Sequence, residues 1–441
     1  MATWRRRGAA RALGAGIVLL AWCGAADAAG ASSDAAGPLT LQEAVGTAVA
    51  HHPSLAAALG ATAAQAARVG EARANFFPQL TLTSGFSRGQ EKTLLSKPPT
   101  FTPYTAVVPE HDYSAQLSLQ QLLFDFGKTN AQVQAAAQSL AASRQDQESS
   151  RQAVVLNVKV AYFGLLAARR LVQVDEETVK QFQEHLEQVR GFYDAGTRTR
   201  YDVTTAAVNL TNAQLDLIKA KDAARVAEVT LANAMGTPER RIGEMEELLT
   251  VQQTDVSEEQ ALNEATARRP ELRSFAAQRL AAEASIRAAQ RDYFPVVTGS
   301  ADYTFDGSGF PLPWSRTAGV SLTFPLFSGL LTRSQVAEAH ANLETVDANA
   351  EALRQNIVLE VRQAYANLID ADERVRASAI VVQQAEENLA LADGRFQAGI
   401  GTSVELTDAQ VQLANAKTSQ VQALYDDRVA IARLDKAMGH E

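Results

Sequence analysis

The amino-acid sequence repeats itself, and no other feature limits its fold so strongly. His52-Pro53-Ser54-Leu55 returns as Arg269-Pro270-Glu271-Leu272, an offset of 217 residues. That register runs unbroken to Asn75-Phe76-Phe77-Pro78, which matches Asp292-Tyr293-Phe294-Pro295. The offset then drops to 203 and stays there. Ser118-Leu119 matches Ser321-Leu322, Leu123-Phe124 matches Leu326-Phe327, and Gln132-Val133 matches Gln335-Val336. Ala161-Tyr162 matches Ala364-Tyr365, and Met235-Gly236 matches Met438-Gly439. More than a hundred residues without a gap are what long helices require, since their register cannot slip. The 14-residue change of offset falls between Pro78 and Ser118, which places a longer loop in the first copy. The chain divides into a first repeat over 29–236, a connecting segment over 237–260 and a second repeat over 261–441.

Within each copy the pattern reads helix, strand, loop, strand, helix, helix. The first helix spans about 41–76 and stops at Phe77-Pro78, because Pro pushes its predecessor into extended geometry. Pro78, Pro295 and Pro325 thus mark junctions between helix and strand. Strands follow at 79–88 and 113–123, with counterparts at 296–306 and 316–325. Leu80, Leu82 and Phe86 alternate with Thr81, Thr83 and Gly85, while Tyr113, Ala115, Leu117 and Leu119 alternate with Ser114, Gln116 and Ser118. In the second copy Ala318, Val320, Leu322 and Phe324 alternate with Thr317, Gly319, Ser321 and Thr323. Strands of about ten residues, apolar on one face and polar on the other, fit an outer-membrane barrel; a soluble half-buried hairpin shows the same alternation. Residues 89–112, with Pro98, Pro99, Pro103 and Pro109, read as a loop, and its counterpart over 307–315 is shorter. A helix over 128–194 carries a seven-residue apolar stripe of Val155, Val158, Tyr162, Leu165, Val172, Val179, Leu186 and Tyr193. The copy repeats it as Val358, Val361, Tyr365, Leu368, Val375, Val382, Leu389 and Phe396. The last helix of the first copy spans about 200–235. At 1.5 Å per residue the long helix reaches about 100 Å, and two shorter helices stacked end to end match it.

Between the last two helices of each copy lies a short tip. Ala195-Gly196-Thr197-Arg198-Thr199 precedes one final helix and Ala398-Gly399-Ile400-Gly401-Thr402 the other. Gly tolerates the left-handed backbone that ends a helix, and Thr199 and Thr402 are placed to cap the next one. Each tip is therefore the turn of a long antiparallel hairpin.

The N-terminus reads as a secretory signal over 1–28, with Arg5, Arg6, Arg7 and Arg11 before an apolar stretch over 13–22 and an Ala26-Asp27-Ala28 cleavage site. The stretch is too short to span a bilayer. Leu20-Ala21-Trp22-Cys23 is the rival reading, a lipidated Cys23, although bulky Trp22 stands where a lipoprotein box wants a small residue. Cleavage removes the only cysteine and takes the net charge from −9 to about −12, an acidic balance that argues against nucleic acid as a partner. The six histidines are scattered, His51-His52 reads as a helix-terminus pair, and no phosphate-binding or nucleophile motif appears. Neither an enzyme nor a cofactor is expected.

Four strands cannot close a membrane barrel, and an open sheet edge in lipid leaves backbone groups unsatisfied. The strands must be shared between copies. Two chains supply eight strands, whose interior side chains fill; three supply twelve, which suits a conduit.

The order of these features over 39–439 resembles the TolC-type outer-membrane efflux and secretion proteins. The resemblance rests on the duplication, the Phe-Pro-Gln-Leu and Phe-Pro-Val-Val junctions, Leu-Leu-Phe-Asp-Phe-Gly and Pro-Leu-Phe-Ser-Gly, and the two Ala-Gly-x-x-Thr tips. It implies a mainly α, internally duplicated chain whose helical hairpins form a periplasmic α-barrel in a homotrimer. Four strands per chain would join a shared twelve-stranded β-barrel in the outer membrane of a Gram-negative bacterium. It implies as partners outer-membrane lipid, a periplasmic adaptor and an inner-membrane transporter that supplies the energy. It further implies that Gly196, Thr197, Arg198, Thr199, Gly399, Ile400, Gly401 and Thr402 contact the adaptor. The family's acidic gate residues correspond to Glu405 and Asp408, three residues apart on one helix face. Against a gate stands a local role: Thr402-Ser403-Val404-Glu405 has the spacing of a capping box. Gly401 stands where the family often has a basic tip residue. The expected function is a passive exit duct of a tripartite efflux or type I secretion system. A general diffusion channel and a secreted helical scaffold without a pore are the alternatives.

Overall fold

The computed structural model describes residues 38–97, 102–250 and 256–440, and its elements lie in one unit, Leu39–Glu441. The expected signal segment, its cleavage near Ala28 and Cys23 fall outside the described residues. The first repeat contains α1 (Leu41–His51), α2 (Pro53–Ala74), β1 (Gln79–Lys97), β2 (Thr102–Phe124), α3 (Lys128–Asp194) and α4 (Arg200–Ala234). The second contains α5 (Glu258–Arg268), α6 (Pro270–Arg291), β3 (Val296–Gly307), β4 (Trp314–Thr323), α7 (Leu331–Gln397) and α8 (Ser403–Met438). More than half of the chain is helix.

The expected helix over 41–76 is two helices. Pro53 lacks the N–H that would continue α1, so it opens α2 at the first helical position instead. His52 serves both ends: its N–H bonds to the Ala48 carbonyl, and its Nδ1 accepts the Ser54 N–H at 3.2 Å. Pro270 repeats the break after α5. α5 begins within the span expected as connection, with Ser257 as its N-cap. The break lets another helix end reach it. Gly236, just after α4, has φ +71°, and a Cβ there would lie 2.8 Å from the His52 Cα. Gly439, with φ +83°, approaches Arg268 and Arg269 in the same way. So α4 ends where α2 begins and α8 ends where α6 begins, with α2 and α4 packed on the long α3 and α6 and α8 on the long α7. The two-helix stack of α2 and α4 has 22 and 35 residues, about 86 Å at 1.5 Å each, against about 100 Å for the 67 residues of α3.

The strands form one antiparallel meander, β1-β2-β3-β4, with β1 and β4 as its edges. Its register pairs Leu80 with Leu119, Leu82 with Leu117, Phe86 with Tyr113 and Leu117 with Tyr303, so the apolar positions share one face. Residues 89–112, expected as a loop, are mostly strand: the β1–β2 ladder continues to Lys97 opposite Thr102. Pro103 and Pro109 are tolerated because β2 pairs with β3 only from Tyr113 onward, leaving one side of the ladder without a donor to supply. The extra length of the first repeat is therefore hairpin rather than loop. The exposed face carries Leu80, Leu82, Val320 and Leu322 between two groups of aromatics. Phe76, Phe77, Phe124, Phe294 and Phe324 stand at the helical end, and Phe86, Phe305, Phe310 and Trp314 at the far end.

Each long helix starts from two successive left-handed residues, Phe126-Gly127 and Gly329-Leu330. The Asp125 carboxylate secures the first by accepting the N–H groups of Gly127 and Thr129 at 3.0 and 2.6 Å. Val155, Val158, Tyr162, Leu165 and Leu186 are buried as the stripe requires, whereas Val172 and Val179 are half-buried and Tyr193 is exposed. Phe192 takes the inward place there and packs on Phe396, ring centroids 5.6 Å apart. Tyr162 fastens the connecting segment: its hydroxyl lies 2.8 and 3.2 Å from the Leu39 and Glu246 carbonyls, where Leu39 bridges to Met245. Burial, with the nearby Glu246 charge, pushes that phenol up to about 12.

A buried cation joins both repeats. Arg269, 3% exposed, donates from Nε and Nη2 to the Glu271 carboxylate at 3.2 Å each and from Nη1 to Glu360. Lys436 reaches Glu360 at 2.8 Å, and Ser149 of α3 donates to Glu271 at 3.0 Å. Burial alone would raise both carboxyls, but these donors outweigh it and hold them below the ordinary value.

Candidate functional site: the paired hairpin tips

Both tips close by the same backbone logic. Gly196 and Gly399 each have φ +74°. Gly196 N donates to the Tyr193 carbonyl and Thr197 N to that of Phe192, each at 2.9 Å; Gly399 N and Ile400 N reach Phe396 and Arg395, each at 3.1 Å. This is a Schellman closure, satisfying carbonyls that the helix end leaves free. Thr199 then caps α4 and Thr402 caps α8, each through its side-chain oxygen.

The two tips differ in their caps. In the first, Thr199 and Asp202 form a complete capping box, and the hydrogen bonds from Thr199 hold the Asp202 carboxyl below its ordinary value. In the second only half the box forms. Thr402 accepts the Glu405 N–H at 3.2 Å, but the Glu405 carboxylate turns to Arg395 at 3.6 Å. Expectation and structure part here, because Arg395, at the end of α7, offers a charge where the cap offers only an N–H. With both side chains about half exposed, this pair contributes at most about 1 kcal/mol. Asp408 is exposed and makes no ion pair or hydrogen bond among the described residues. Glu405 and Asp408 therefore present two carboxylates on the exposed side of the first turns of α8, one of them beside a cation.

The tips are clasped to each other. Arg198 donates to the carbonyl of Gly401, its own counterpart in the duplication, at 3.0 Å, and its guanidinium lies 5.0 Å from the Phe396 ring centroid. Gly401 is needed for the second tip to fold back on the end of α7, since a Cβ there would sit 2.9 Å from the Phe396 nitrogen. The first tip thus brings a cation to the second, where Gly401 stands in place of the family's frequent basic residue. Behind the clasp, His185 Nε2 lies 2.9 Å from the Ser403 hydroxyl, with both residues buried. Burial lowers the His185 pKa, outweighing the nearby Asp393 carboxylate, so the imidazole is neutral at pH 7. Leu186, Val189, Ala206, Phe396, Leu406 and Ala409 close a small apolar core under both tips.

Sequence reasoning singled out Arg198 and Gly401 but not the bond between them, and it missed His185, Ser403 and Arg395. The available signal was asymmetry between copies: His185 stands opposite Asn388, Ser403 opposite Arg200 and Arg395 opposite Phe192. Pro78 and Pro295 each lie one residue before a strand, and Pro325 lies in the turn between β4 and α7. Among the described residues no group of metal-ligating side chains converges.

Comparison with known proteins places these features in a wider set. A family model described as "Outer membrane efflux protein" matches residues 44–237 and 261–440. Outer membrane protein TolC of Escherichia coli is 25% identical over 345 residues, 74% of this chain and 69% of that protein. Protein CyaE of Bordetella pertussis is 27% identical over 394 residues, 87% and 80% of the two chains. The alkaline protease secretion protein AprF of Pseudomonas aeruginosa is 23% identical over 370 residues, 82% and 76%. Among solved structures, the outer membrane protein VceC of Vibrio cholerae superposes with a TM-score of 0.76 at 21% identity, covering 91% of this chain and 96% of that one. The open-state MtrE outer membrane channel of Neisseria gonorrhoeae gives 0.76 at 20% identity, covering 91% and 89%. At such identities these structures speak for the fold alone.

Proposed function

The chain belongs to the outer membrane efflux protein family, and from that premise we propose how one chain with an open sheet becomes a channel. The protein is an outer-membrane exit duct of a tripartite efflux or type I secretion system, passively conducting what an inner-membrane pump delivers. No catalytic step belongs to this role. The observation that carries the assembly is the sheet. It has an exposed apolar face, with β1 and β4 unpaired on their outer sides. Such edges are excluded from lipid unless another copy pairs them. Three copies edge to edge give twelve strands, and their long hairpins give twelve helices around a periplasmic tube. The helices leave a matching vacancy: α3 packs on both α2 and α6, whereas α7 packs on α6 but not on α2 of its own chain. The α2 of a neighbour fills that side. The aromatic groups at the two ends of the sheet are the belts of the barrel. From Trp314 to Phe324 is about 33 Å along β4, which a tilt of about 40° reduces to the roughly 25 Å of an outer-membrane apolar band. Export to this site requires the signal segment, removed near Ala28.

At the other end, Gly196, Thr197, Arg198, Thr199, Gly399, Ile400, Gly401 and Thr402 present the surface for a periplasmic adaptor bound to the inner-membrane transporter. Three copies of Glu405 and Asp408 ring the entrance. Like charges brought together are costly, so a closed ring needs cations, protons or donors such as Arg395 to offset it. Among the described residues Asp408 has no such partner, so its charge is the one the entrance feels most.

This predicts the behaviour of the double variant Glu405→Gln, Asp408→Asn in planar bilayers. Cation preference is expected to fall several-fold and block by divalent or trivalent cations to weaken, since a narrow acidic ring focuses the field on cations. Asp408→Asn alone should account for most of the change. Unaltered conductance, selectivity and block in the double variant would show these carboxylates to be ordinary helix-start acids.

A further inference from the structure

Cations stand on the apolar face of the sheet at two heights: Arg88, beyond Phe86 near the outer part of β1, and Arg316, within the β3–β4 pairing. Arg316 pairs in register with Tyr303, and the alternation of β4 puts it on the same face as Trp314, Ala318, Val320 and Leu322. It is exposed and has no hydrogen bond or ion pair among the described residues. Beside it lies a shallow groove of about 570 Å³ lined by Leu80, Leu117, Leu119, Ala301, Ala318, Tyr303 and Arg316; Asp302 and Thr317 also border it, but strand alternation puts their side chains on the opposite face, where Asp302 accepts from Gln116 at 3.1 Å. The groove exists because Ala301 and Ala318 face each other across β3 and β4, leaving a depression beside the leucines. Just outside the groove the Tyr303 ring stacks on Trp314, with centroids 5.8 Å apart and planes within 14°. The groove is thus apolar along its length and cationic at the end away from the helices.

We propose that this groove holds one acyl chain of a phosphorylated glycolipid of the outer leaflet, with Arg316 gripping the lipid's phosphate. The proposal rests on the reading that the sheet crosses the outer membrane with its apolar face toward lipid. Depth and charge identify the occupant. Arg316 lies two residues inside Trp314, about 7 Å along the strand, so its long side chain reaches the headgroup level. An unpaired arginine on a lipid-facing surface is unfavourable toward the bilayer centre and tolerated near an interface. A phosphate above it converts that tolerance into a charge-assisted, bidentate contact that a zwitterionic headgroup offers more weakly. The helices fix which leaflet this is: they leave the sheet at the Thr323 end of β4, and Arg316 lies toward the opposite end.

The test uses the full mature protein, purified in detergent, stripped of lipid and reconstituted into vesicles of phosphatidylethanolamine doped with diphosphorylated lipid A. After gentle re-extraction, lipid retained per chain is counted by native mass spectrometry. Wild type should retain lipid A in preference to phosphatidylglycerol and phosphatidylethanolamine, and millimolar inorganic phosphate should not displace it. Arg316→Gln should lower retention about tenfold, the loss of one strong charged contact. Arg316→Lys should fall between, keeping charge but not the planar fork. Ala318→Trp fills the groove with the arginine intact and should also abolish retention. Equal retention by wild type and Arg316→Gln would overturn the site, as would equal retention of phosphatidylglycerol and lipid A. Wild type that inserts but retains no lipid A would overturn it too. A protein that fails to insert into vesicles would instead contradict the membrane reading itself, so the two failures are distinct.

Discussion

Gly399→Pro is expected to abolish export while leaving the protein inserted in the outer membrane, and Gly196→Pro to do the same. Both glycines have φ +74°, and proline holds φ near −65°, so neither tip can keep its turn. Proline also removes the N–H that Gly399 donates to Phe396 at 3.1 Å and that Gly196 donates to Tyr193 at 2.9 Å. The local cost is about 3 kcal/mol or more, and it falls where Arg198 clasps Gly401. The clasp, the Thr402 cap and the Glu405 position are then lost together. The sheet is spared because it lies at the other end of α7, about 100 Å away over 67 residues. Gly399→Ala is the graded control: a left-handed alanine costs roughly 1 kcal/mol, and partial export should survive. Export and outer-membrane insertion measured side by side check this. Unchanged export in both proline variants would show that the tips are not the docking surface.

Arg269→Ala is expected to produce the largest loss of stability of any single charged residue in the chain. The guanidinium is 3% exposed and joins Glu271 to Glu360, tying α6 to α7 and, through Lys436 and Ser149, to α8 and α3. Removing it leaves Glu271 without its main counter-charge, and Glu360 with Lys436 alone. Breaking a buried pair in this way costs about 3 kcal/mol, the lower end of the usual range, because Glu360 is partly hydrated. Both carboxyls are held below their ordinary value, so the stabilisation is present above the normal carboxylate range and is lost as pH falls through the depressed values. Thermal unfolding of the purified variant at pH 7 and at acid pH measures it. A difference from wild type that is large at pH 7 and shrinks on acidification is the expected result; equal stability at pH 7 would contradict it.

Much of the architecture was legible because the chain states it twice. A gapless offset over Ser118 to Gly236 betrays long helices, and the alternation around Leu80 and Leu117 betrays strands, without any three-dimensional information. What escaped depends on contacts distant in sequence. The prolines of 89–112 argue for a loop locally; only the missing β3 partner beyond Tyr113 makes them acceptable in a strand. Pro53 is as compatible with a kinked helix as with a break, and Gly236, almost two hundred residues away, decides for the break. Thr402 and Glu405 have the spacing of a capping box, yet Arg395 on the preceding helix draws the carboxylate away. The charged members of the Arg269 network, Arg269, Glu271, Glu360 and Lys436, all lie in the second copy. Their counterparts are His52, Ser54, Asn157 and Asn233, none of them charged as these are, so the duplication that reveals the fold conceals this site.

The central claim is that the four-stranded sheet is one third of a closed wall. Light scattering of the protein purified from membranes in detergent, with the detergent contribution subtracted, tests it most directly. A protein mass of about three chains is the predicted result, since twelve strands close a barrel wide enough to conduct. A stable monomer, inserted in a bilayer with β1 and β4 unpaired, would contradict the account.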